Sequence, residues 1–354
     1  LATVGHLDEN LENSLNEPWQ HLVDMDGSVS KSCYCTKDPG FQNYVRQVYV
    51  ALSRANPEFI WVDDDVRMEY HGVAIKYGCF CDYCMAAFAE QISRKLTREE
   101  LHAAFITGSH TEKLAMRRQL LEHHRRYIRD ILADIRAAVD SVNPKISLGF
   151  MTCEITYSGL GFSEWTDAMA GKNQVDVKWR PGGGFYTDDQ PCGIIWKANS
   201  IGRQIAHLPK SVVDVQSEHE NFPYQRLKKS VTCFQTEIAA YIGSGCTGTA
   251  LNCMGMSSDP IEEYRPYFEA VKRCRGFFDK AVATFRRSDC EVLWTASTRD
   301  HIATLTLDSG DWPTGAFGGN LGMFGELCEI GLPSSYTASG ASIALLSGDT
   351  TLAF

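Results

Sequence analysis

Short apolar runs recur along the sequence, and segments long enough to hold a helix separate them. Strands joined by such segments pair in parallel, because a tight hairpin can only return the chain antiparallel. The pattern therefore predicts repeated strand–helix units around a parallel sheet. The six runs are Leu1–His6, Phe59–Asp65, Ile146–Cys153, Val175–Arg180, Val212–Glu220 and Cys246–Cys253.

Two connecting segments carry apolar residues at the spacing of one helical face, which predicts amphipathic helices with one buried stripe. In residues 41–56 these are Phe41, Tyr44, Val45, Val48 and Leu52, and in residues 120–139 they are Leu120, Leu121, Ile128, Ile131, Leu132, Ile135 and Val139. Pro144 ends the second helix, because the residue before a proline is held away from the helical conformation. After the last strand, residues 262–282 are typical of a closing helix.

The number of units bounds the architecture. Six strand–helix units fall short of the eight that close a (β/α)₈ barrel. An open doubly wound sheet is the main alternative, but no G-x-G-x-x-G follows the first strands, and the glycines of RPGGGFY read as a flexible loop. From Cys290 the sequence changes to a new strand, a glycine-rich loop, a helix and a further strand. We therefore expect one domain over residues 1–285 and a second over residues 286–354.

The charge of the chain restricts its partners. The formal net charge is −10 and no Lys/Arg block is present, which argues against a nucleic-acid or anionic-membrane surface, since phosphate groups demand a basic face. No run of about 18 apolar residues is available to span a bilayer. A small or neutral substrate fits this charge. The sequence begins and ends inside strand-like stretches, and LATVGHLDEN lacks the regions of a signal peptide, so we expect a fragment.

Cysteines give the most specific pattern. The chain has 13 of them, and disulfide scaffolds are usually short secreted chains, so we expect reduced thiols and a cytoplasmic location. Cys79, Cys81 and Cys84 form C-x-C-x-x-C, and Cys33 and Cys35 precede them. Four thiolates around zinc make a closed tetrahedral site, which is structural rather than catalytic. Buried free thiols or a disulfide are the alternatives.

Polar residues follow the strand runs where a barrel enzyme would have its active site, at the carboxyl ends of the strands. They are His6, Asp63, Asp64, Asp65, Glu154, Lys178, Arg180, Glu218, His219, Glu220 and Asn252. Strand alternation places Asp63 with Asp65 on one face, and Glu218 with Glu220 on one face. His6 would bind a substrate hydroxyl or serve as a structural histidine.

Two carboxylates that face each other across a barrel mouth are the machinery of glycoside hydrolysis. One protonates the leaving oxygen, and the other attacks the anomeric carbon or activates water. Repulsion among adjacent aspartates would raise one pKa and keep that acid protonated near neutral pH. A helix cap is the alternative role for the aspartates, and a solvated strand end is that for the glutamates. Candidates for stacking on sugar rings, or for core packing, are Trp61, Trp179, Phe185, Tyr186, Phe222 and Tyr224.

The stretch WVDDDVRMEYHG followed by CFCDYC resembles glycoside hydrolase family 42, the β-galactosidases of clan A, whose (β/α)₈ barrels act with retention. In that family the fourth strand ends in D-N-E and a C-Y-C-x-x-C zinc cluster follows. The resemblance implies that Phe59–Asp65 is the fourth strand of a barrel and Val212–Glu220 the seventh, with two strand–helix units before Leu1. It also implies a flavodoxin-like, trimerisation-type domain after the barrel. The implied ligands of a structural zinc are Cys35, Cys79, Cys81 and Cys84.

The resemblance also assigns roles to the acids. It implies Asp65 as general acid/base and Glu218 as nucleophile, with Glu220 as the second candidate. Two positions depart from the family motif, because Asp64 replaces asparagine and Asp65 replaces a glutamate whose proton would reach roughly 1 Å further. The predicted substrate-binding residues are His6, Asp63, Asp64, Arg67, Glu154, Lys178, Arg180 and Asn252. The lysine and arginines among them suggest a substrate with negative charge.

The sequence therefore predicts a retaining β-glycosidase, similar to β-galactosidases, with a carbohydrate as its substrate. Two alternatives stay open. The D-D-D stretch motivates a sugar-binding relative without turnover. A metal-dependent barrel hydrolase would instead use Asp63–Asp65, Glu218 and His219 as ligands that converge on an open metal site.

Overall fold

The computed structural model of the protein describes residues 17–64, 66–68, 75–153, 161–221, 228–254, 259–285, 293–297, 300–309, 312, 323–332, 334–338, 340–346 and 348–354. In chain order its elements are β1 (His21–Val23), β2 (Val29–Tyr34), α1 (Pro39–Arg54), β3 (Phe59–Val62), α2 (Asp82–Ile92), α3 (Arg98–Ile106), α4 (His110–Asp140), β4 (Ser147–Cys153), α5 (Phe162–Ala170), β5 (Val177–Pro181), α6 (Gly193–His207), β6 (Asp214–Glu220), α7 (Val231–Gly243), β7 (Gly248–Asn252), α8 (Arg265–Thr284), β8 (Leu293–Thr295), α9 (Phe324–Glu329) and β9 (Ile343–Leu345). Short 3₁₀ helices cover Ile261–Tyr264, Ile302–Thr304 and Gly348–Ala353.

The central element is a parallel sheet of five strands, β3 to β7, which lie side by side in the order of the sequence. Each neighbouring pair is parallel. Five of the six predicted strands are therefore confirmed, and Leu1–His6 lies outside the described residues. Sequential parallel pairing with crossovers of one hand is how a (β/α)₈ barrel begins, and the described chain supplies five such strands. The closed barrel stays a prediction.

The two faces of the sheet differ in character because side chains alternate along each strand. On β5, Trp179 packs against Phe162 of α5, with ring centroids 5.5 Å apart, so this face of the strand is covered by helices. Lys178 and Arg180 point to the opposite face, where Arg180 meets Glu218 of β6. We call the face away from the helices the inner face. Of the polar residues predicted at the strand ends, Lys178, Arg180 and Glu218 lie on this face.

The helix α4 is longer than its apolar stripe predicts. It begins at His110, ten residues before the first predicted stripe residue, and ends at Asp140 as expected. A capping box fixes its start, because the Ser109 hydroxyl accepts from the Glu112 backbone N–H and the Glu112 carboxylate accepts from the Ser109 N–H. The buried stripe of α4 then packs against the helix-covered side of the core.

A short antiparallel hairpin, β1 with β2, precedes the parallel sheet. Residues that come much later in the sequence fix its position. The Phe80 N–H donates to the Val23 carbonyl at 2.6 Å. The buried Asp24 carboxylate also accepts from the backbone N–H groups of Lys76 and Tyr77, at 3.1 and 3.0 Å. These bonds bring the end of β1 against the segment that leads into α2.

Beyond α8 the chain forms a small parallel pair, β8 with β9. The helix α9 lies between these strands in sequence, as the residue pattern after Cys290 predicts. A flavodoxin-like fold, the boundary near residue 285 and a trimer stay predictions. In the described ranges, no helix is both long and apolar enough to cross a membrane.

Candidate active site at the carboxyl ends of the strands

Two glutamates at the end of β6 form the centre of the site. Glu218 and Glu220 lie on the inner face, and their side chains hydrogen bond to each other. Burial raises the pKa of Glu218 to about 7, the Arg180 charge opposes this, and the neighbouring Glu220 adds to it. Glu218 therefore carries a proton below about pH 7 and a negative charge above it.

Two cationic residues of β5 lie beside the acids of β6, at different positions along the strand. The Arg180 guanidinium Nη2 is 3.7 Å from Glu218 Oε2, with both side chains mostly buried. The Arg180 charge also acts on Asp64, where it partly opposes the rise in pKa that burial causes. Lys178, two residues earlier, forms an ion pair with Asp214 at the start of β6. The structure thus places Arg180 between the acids and Lys178 deeper, towards the amino ends of the strands.

The aspartates that follow β3 form the second acidic group. Burial raises the pKa of Asp64, and a hydrogen bond and the charge of Asp63 raise it further. Arg67 lies 3.5 Å from Asp64, Nη1 to Oδ2, and its charge lowers that pKa together with Arg180. Asp63 is exposed.

Tyr186 joins the two acidic groups. Burial raises its pKa well above the ordinary value, and the charges of Glu218, Glu220 and Asp64 raise it further. The acids that follow β3 and those of β6 therefore act on the same hydroxyl, so both groups lie near a common space. Gly184 permits this, because a Cβ there would lie 1.9 Å from the Tyr186 ring. The glycines of this loop thus have a steric role that the sequence interpretation did not assign.

Other predicted residues divide between site and core. Asn252, at the end of β7, donates from Nδ2 to Glu220 Oε1 at 3.3 Å. Trp61 is partly exposed on the inner face of β3. Trp179 and Phe185 are buried, so they serve as core residues. Tyr186 and Trp61 are the described candidates for stacking on a sugar.

Several predicted positions lie outside the described residues. They are His6, Asp65 and Glu154 among the site residues, and Phe222 and Tyr224 among the aromatic ones. Their roles stay predictions, and Asp65 matters most because the general acid/base role falls to it. Of the D-D-D stretch, the structure describes Asp63 and Asp64.

The predicted cysteine group is present. Ligand atoms of Cys35, Cys79, Cys81 and Cys84 all lie within 4.8 Å of one another, and all four residues are buried. The Cys35 sulfur is 3.5 Å from that of Cys84 and 3.6 Å from that of Cys81. A tetrahedron with Zn–S bonds of about 2.3 Å separates its sulfurs by about 3.8 Å, so the group is compatible with zinc. Cys33 is not a member of it.

The surroundings of the cysteine group also suit a thiolate site. The Lys37 N–H and the Tyr127 hydroxyl donate to the Cys35 sulfur, at 3.4 and 3.5 Å. Such donors stabilise metal-bound thiolates and orient them. Cys81 is the N-cap residue of α2, and Cys84 lies in the first turn of that helix. Four buried thiols and no open position are the composition of a structural site rather than a catalytic one.

The metal-dependent alternative is wrong in one respect, because His219 cannot join Glu218 on a metal. Adjacent residues on a strand face opposite sides of the sheet. Glu218 faces Arg180 on the inner face, whereas His219 is fully buried against Phe234 and Tyr241 of α7. Among described residues, the cysteine group is the one set of three or more potential ligands that converges.

Three buried charged residues behind β6 were not predicted from the sequence: Lys197, Lys229 and Glu237. A signal for Lys197 existed, because it lies four residues before Ile201 and eight before Ile205 on the buried stripe of α6. Glu237 likewise lies on the buried stripe of α7. A charged residue on an apolar stripe needs a buried partner, and the sequence does not show which residue supplies it.

Comparison with known proteins gives structural likeness only. No protein-family model matches the sequence, and no curated protein sequence matches it. The β-galactosidase from Bacillus circulans sp. alkalophilus superposes with a TM-score of 0.53 at 15% identity, over 84% of this chain and 48% of that one. The β-galactosidase from the psychrophilic Marinomonas ef1 superposes with a TM-score of 0.50 at 10% identity, over 84% and 53%.

The chain therefore spans about half the length of each of these β-galactosidases. At these identities the likeness shows a shared fold, and it carries neither residue roles nor substrate. Membership of glycoside hydrolase family 42 stays a prediction.

Proposed function

We propose that this chain is a retaining glycoside hydrolase that acts on a β-galactoside-like β-glycoside. The observation that carries the proposal is the Glu218–Glu220 pair at the carboxyl end of β6, beside Arg180, whose charge also acts on Asp64. The fold shared with two β-galactosidases supports the same class of enzyme. So does the resemblance of the D-D-D and cysteine motifs to family 42.

The proposed reaction has two displacements on the anomeric carbon. In the first, the Glu218 carboxylate forms a bond to that carbon, the bond to the leaving oxygen breaks, and Asp65 gives its proton to this oxygen. In the second, Asp65 takes a proton from water, the water oxygen attacks the anomeric carbon, and the Glu218 carboxylate leaves. Glu220 is the second candidate for the nucleophile. Asn252, which donates to Glu220, and Tyr186, on which the acids act, would bind sugar hydroxyls.

The charge balance of the site favours a neutral sugar. Each cation has an acidic partner: Arg67 pairs with Asp64, Lys178 with Asp214 and Arg180 with Glu218. The anionic substrate that these cations suggested on sequence grounds would have to break such pairs, at a desolvation cost. A neutral glycoside can instead hydrogen bond to them in place.

We also propose that Cys35, Cys79, Cys81 and Cys84 hold one structural zinc. The donor set and the sulfur spacing support this. The ion would join the end of the β1–β2 hairpin to the start of α2 and would take no part in glycoside cleavage, since four thiolates leave no open coordination position.

The proposal is tested by screening the purified protein against aryl β- and α-glycosides, with the anomer of the first-formed product read by NMR. We expect turnover of a β-glycoside with retention. Asp65→Asn and the variant that lacks the nucleophile, Glu218→Gln or Glu220→Gln, should each lose about a thousandfold or more in kcat. Glu269→Gln, which alters an exposed glutamate of α8, is the matched control.

Added azide assigns the nucleophile. It can replace a missing carboxylate nucleophile and gives a glycosyl azide of inverted configuration, so it should rescue one of the two glutamate variants and not the other. An inverted product from the unaltered protein would overturn the retaining mechanism. Saccharide binding without turnover of any glycoside would overturn the enzyme and favour the inactive relative.

A further inference from the structure

Behind β6, on the side covered by helices, a buried carboxylate gathers three nitrogen groups. Glu237 of α7 lies 2.8 Å from the Lys229 ammonium and 3.6 Å from that of Lys197 on α6. The His219 ring Nδ1 lies 3.5 Å from the same carboxylate. Their side chains are at most 5% exposed. We call these four residues the buried hub.

Both lysines of the buried hub also reach through to the main chain of β6. Lys197 Nζ donates to the Glu218 carbonyl at 2.6 Å, and Lys229 Nζ donates to the Glu220 carbonyl at 3.0 Å. These carbonyls belong to the two residues whose carboxylates form the proposed site. The backbone that aims each carboxylate is therefore held by an ammonium from a different position on the helix side.

The hub carries one surplus positive charge. Burial favours the neutral form of Glu237, but the His219 hydrogen bond and the two lysines outweigh it and lower its pKa to about 2. Burial lowers the pKa of His219, which is therefore neutral at pH 7. Burial lowers the pKa of Lys197, and the charges of Glu237 and Glu218 oppose this. With both lysines charged, two ammonium groups face one carboxylate. The charge of Lys197 acts on Glu218 and lowers its pKa.

With the neighbouring Ser217, two residues of the hub form a serine–histidine–carboxylate arrangement, which invites a hydrolytic interpretation. Ser217 Oγ lies 2.8 Å from His219 Nε2, and Glu237 lies on the other side of the ring. All three residues are 0% exposed. A substrate cannot reach the Ser217 hydroxyl between sheet and helix, so the arrangement fixes the ring tautomer and supports the hub.

We propose that Lys197 and Lys229 are positioning residues of the glycosidase site, which hold the Glu218 and Glu220 carbonyls and so fix the two carboxylates. We further infer that the Lys197 charge stabilises the Glu218 carboxylate. The kinetic consequences rest on the proposed glycosidase function. The titration consequence does not, because Glu218 ionises whether or not the protein turns over a substrate.

In the described part of the chain, charged or titratable groups of four residues act on Glu218. They are Arg180 from β5, Lys197 from α6, Glu220 from its own strand and Tyr186 from the loop after β5. Lys197→Met removes one of the two cations and keeps the length and apolar body of the side chain. The carboxylate form of Glu218 loses support, so its titration midpoint should rise.

The first experiment follows the Glu218 carboxyl carbon by ¹³C NMR against pH in glutamate-labelled protein, assigned by its loss in Glu218→Gln. Compared with unaltered protein, Lys197→Met should raise the midpoint. Lys197→Arg, which keeps the charge, should return it most of the way. Lys210→Met removes an exposed lysine just before β6 and should leave the midpoint in place.

The second experiment uses the glycoside that the unaltered protein turns over. Lys197→Met should lower kcat by about tenfold or more with KM nearly unchanged, since a misdirected nucleophile weakens the transition state and not substrate binding. The acid limb of its kcat/KM profile should move to higher pH. Lys229→Met should lower kcat in the same manner through Glu220.

The outcomes separate the two proposals. A midpoint that does not move in folded Lys197→Met overturns the charge inference, even in an active enzyme. Unaltered kcat in both lysine variants overturns the positioning role. If the unaltered protein turns over no glycoside, the proposed function is wrong. The Glu218 titration still tests the charge inference in that case. If Lys197→Met does not fold, a midpoint in Lys197→Gln equal to that of the unaltered protein is the overturning result.

Discussion

Glu218 is a carboxyl whose neutral form the folded protein favours. Burial raises its pKa from the ordinary 4.5 to about 7. Below pH 4.5 the folded and unfolded chains both keep the proton, so stability is not affected. As the pH rises from 4.5 towards 7, the unfolded chain ionises and the folded chain does not, so stability is lost, and above 7 the loss is constant.

Glu218→Gln should therefore stabilise the protein at about pH 8 by roughly 3 kcal/mol, from the linkage of 1.36 kcal/mol per pH unit, and by little at about pH 4.5. Urea unfolding at the two pH values measures this. Glu269→Gln removes the charge of an exposed glutamate and serves as the reference. Equal stabilities of Glu218→Gln and the unaltered protein at both pH values would mean that Glu218 is not strained. Such strain is common where function rather than stability sets the residue.

At the scale of elements, the cysteine group decides how the β1–β2 hairpin attaches to α2. Three of its sulfurs come from residues 79–84 and the fourth from Cys35, just after β2. Without a metal, four buried thiols have few good hydrogen-bond partners. With zinc, the ion neutralises thiolates and closes a long loop between the two segments.

We expect one zinc per chain by elemental analysis and a loss of that zinc in Cys81→Ser. Saturating zinc should stabilise the protein by about 4 kcal/mol at a free concentration of a thousand times Kd. Removal by a chelator should lower the unfolding temperature accordingly. Cys328→Ser, which changes an exposed cysteine of α9, should keep both the zinc and the unfolding temperature. Full zinc content in Cys81→Ser would show that the metal binds elsewhere.

Elements with a strong period could be predicted from the sequence. The strands β3 to β7 are apolar runs, and α1 and α4 carry stripes, so pattern alone located them. The hairpin escaped because β1 has three residues and its register shifts at a bulge, which leaves no alternation to detect. The early start of α4 escaped for another reason, since its first turns are polar and only Ser109-x-x-Glu112 marks them.

The site was predictable where chemistry follows strand ends, and hidden where it depends on contacts across the sequence. Glu218, Glu220 and Arg180 followed from their place on apolar runs. The pairing of Lys178 with Asp214 did not, because it needs the register between β5 and β6. Nor could the sequence choose Cys35 over Cys33 without the family resemblance.

At the scale of the molecule, the segment after β8 is tied to two helices that lie far apart in sequence. Arg117 of α4, fully buried, donates to the carbonyls of Ala303 and Leu305 at 3.1 and 2.6 Å. Its guanidinium also lies 5.0 Å from the Trp312 ring centre. Tyr336 donates to Asn199 of α6 at 2.8 Å. This segment is therefore integral to the structure around the parallel sheet.

The strongest of these ties is a buried ion pair, and it yields the last prediction. Asp300 lies 2.8 Å from Arg203 and 3.2 Å from His207, both on α6. Burial opposes its charge, but Arg203 and His207 outweigh this and hold the pKa of Asp300 below its ordinary 3.8. The stabilisation is thus fully present above that value and is lost as the pH falls through the lowered pKa.

Asp300→Asn removes the carboxylate that pairs with the Arg203 guanidinium, which is 1% exposed. Because breaking a buried ion pair is costly, we expect a loss of about 3 kcal/mol in the free energy of unfolding near neutral pH. Arg275→Ala breaks an exposed pair of similar length with Asp279 and should change little. Urea unfolding of both variants makes the comparison. Equal losses of unfolding free energy in the two variants would mean that contacts between the segment after β8 and α6 do not stabilise the protein. The expected difference would show that this segment stabilises the fold that carries the site.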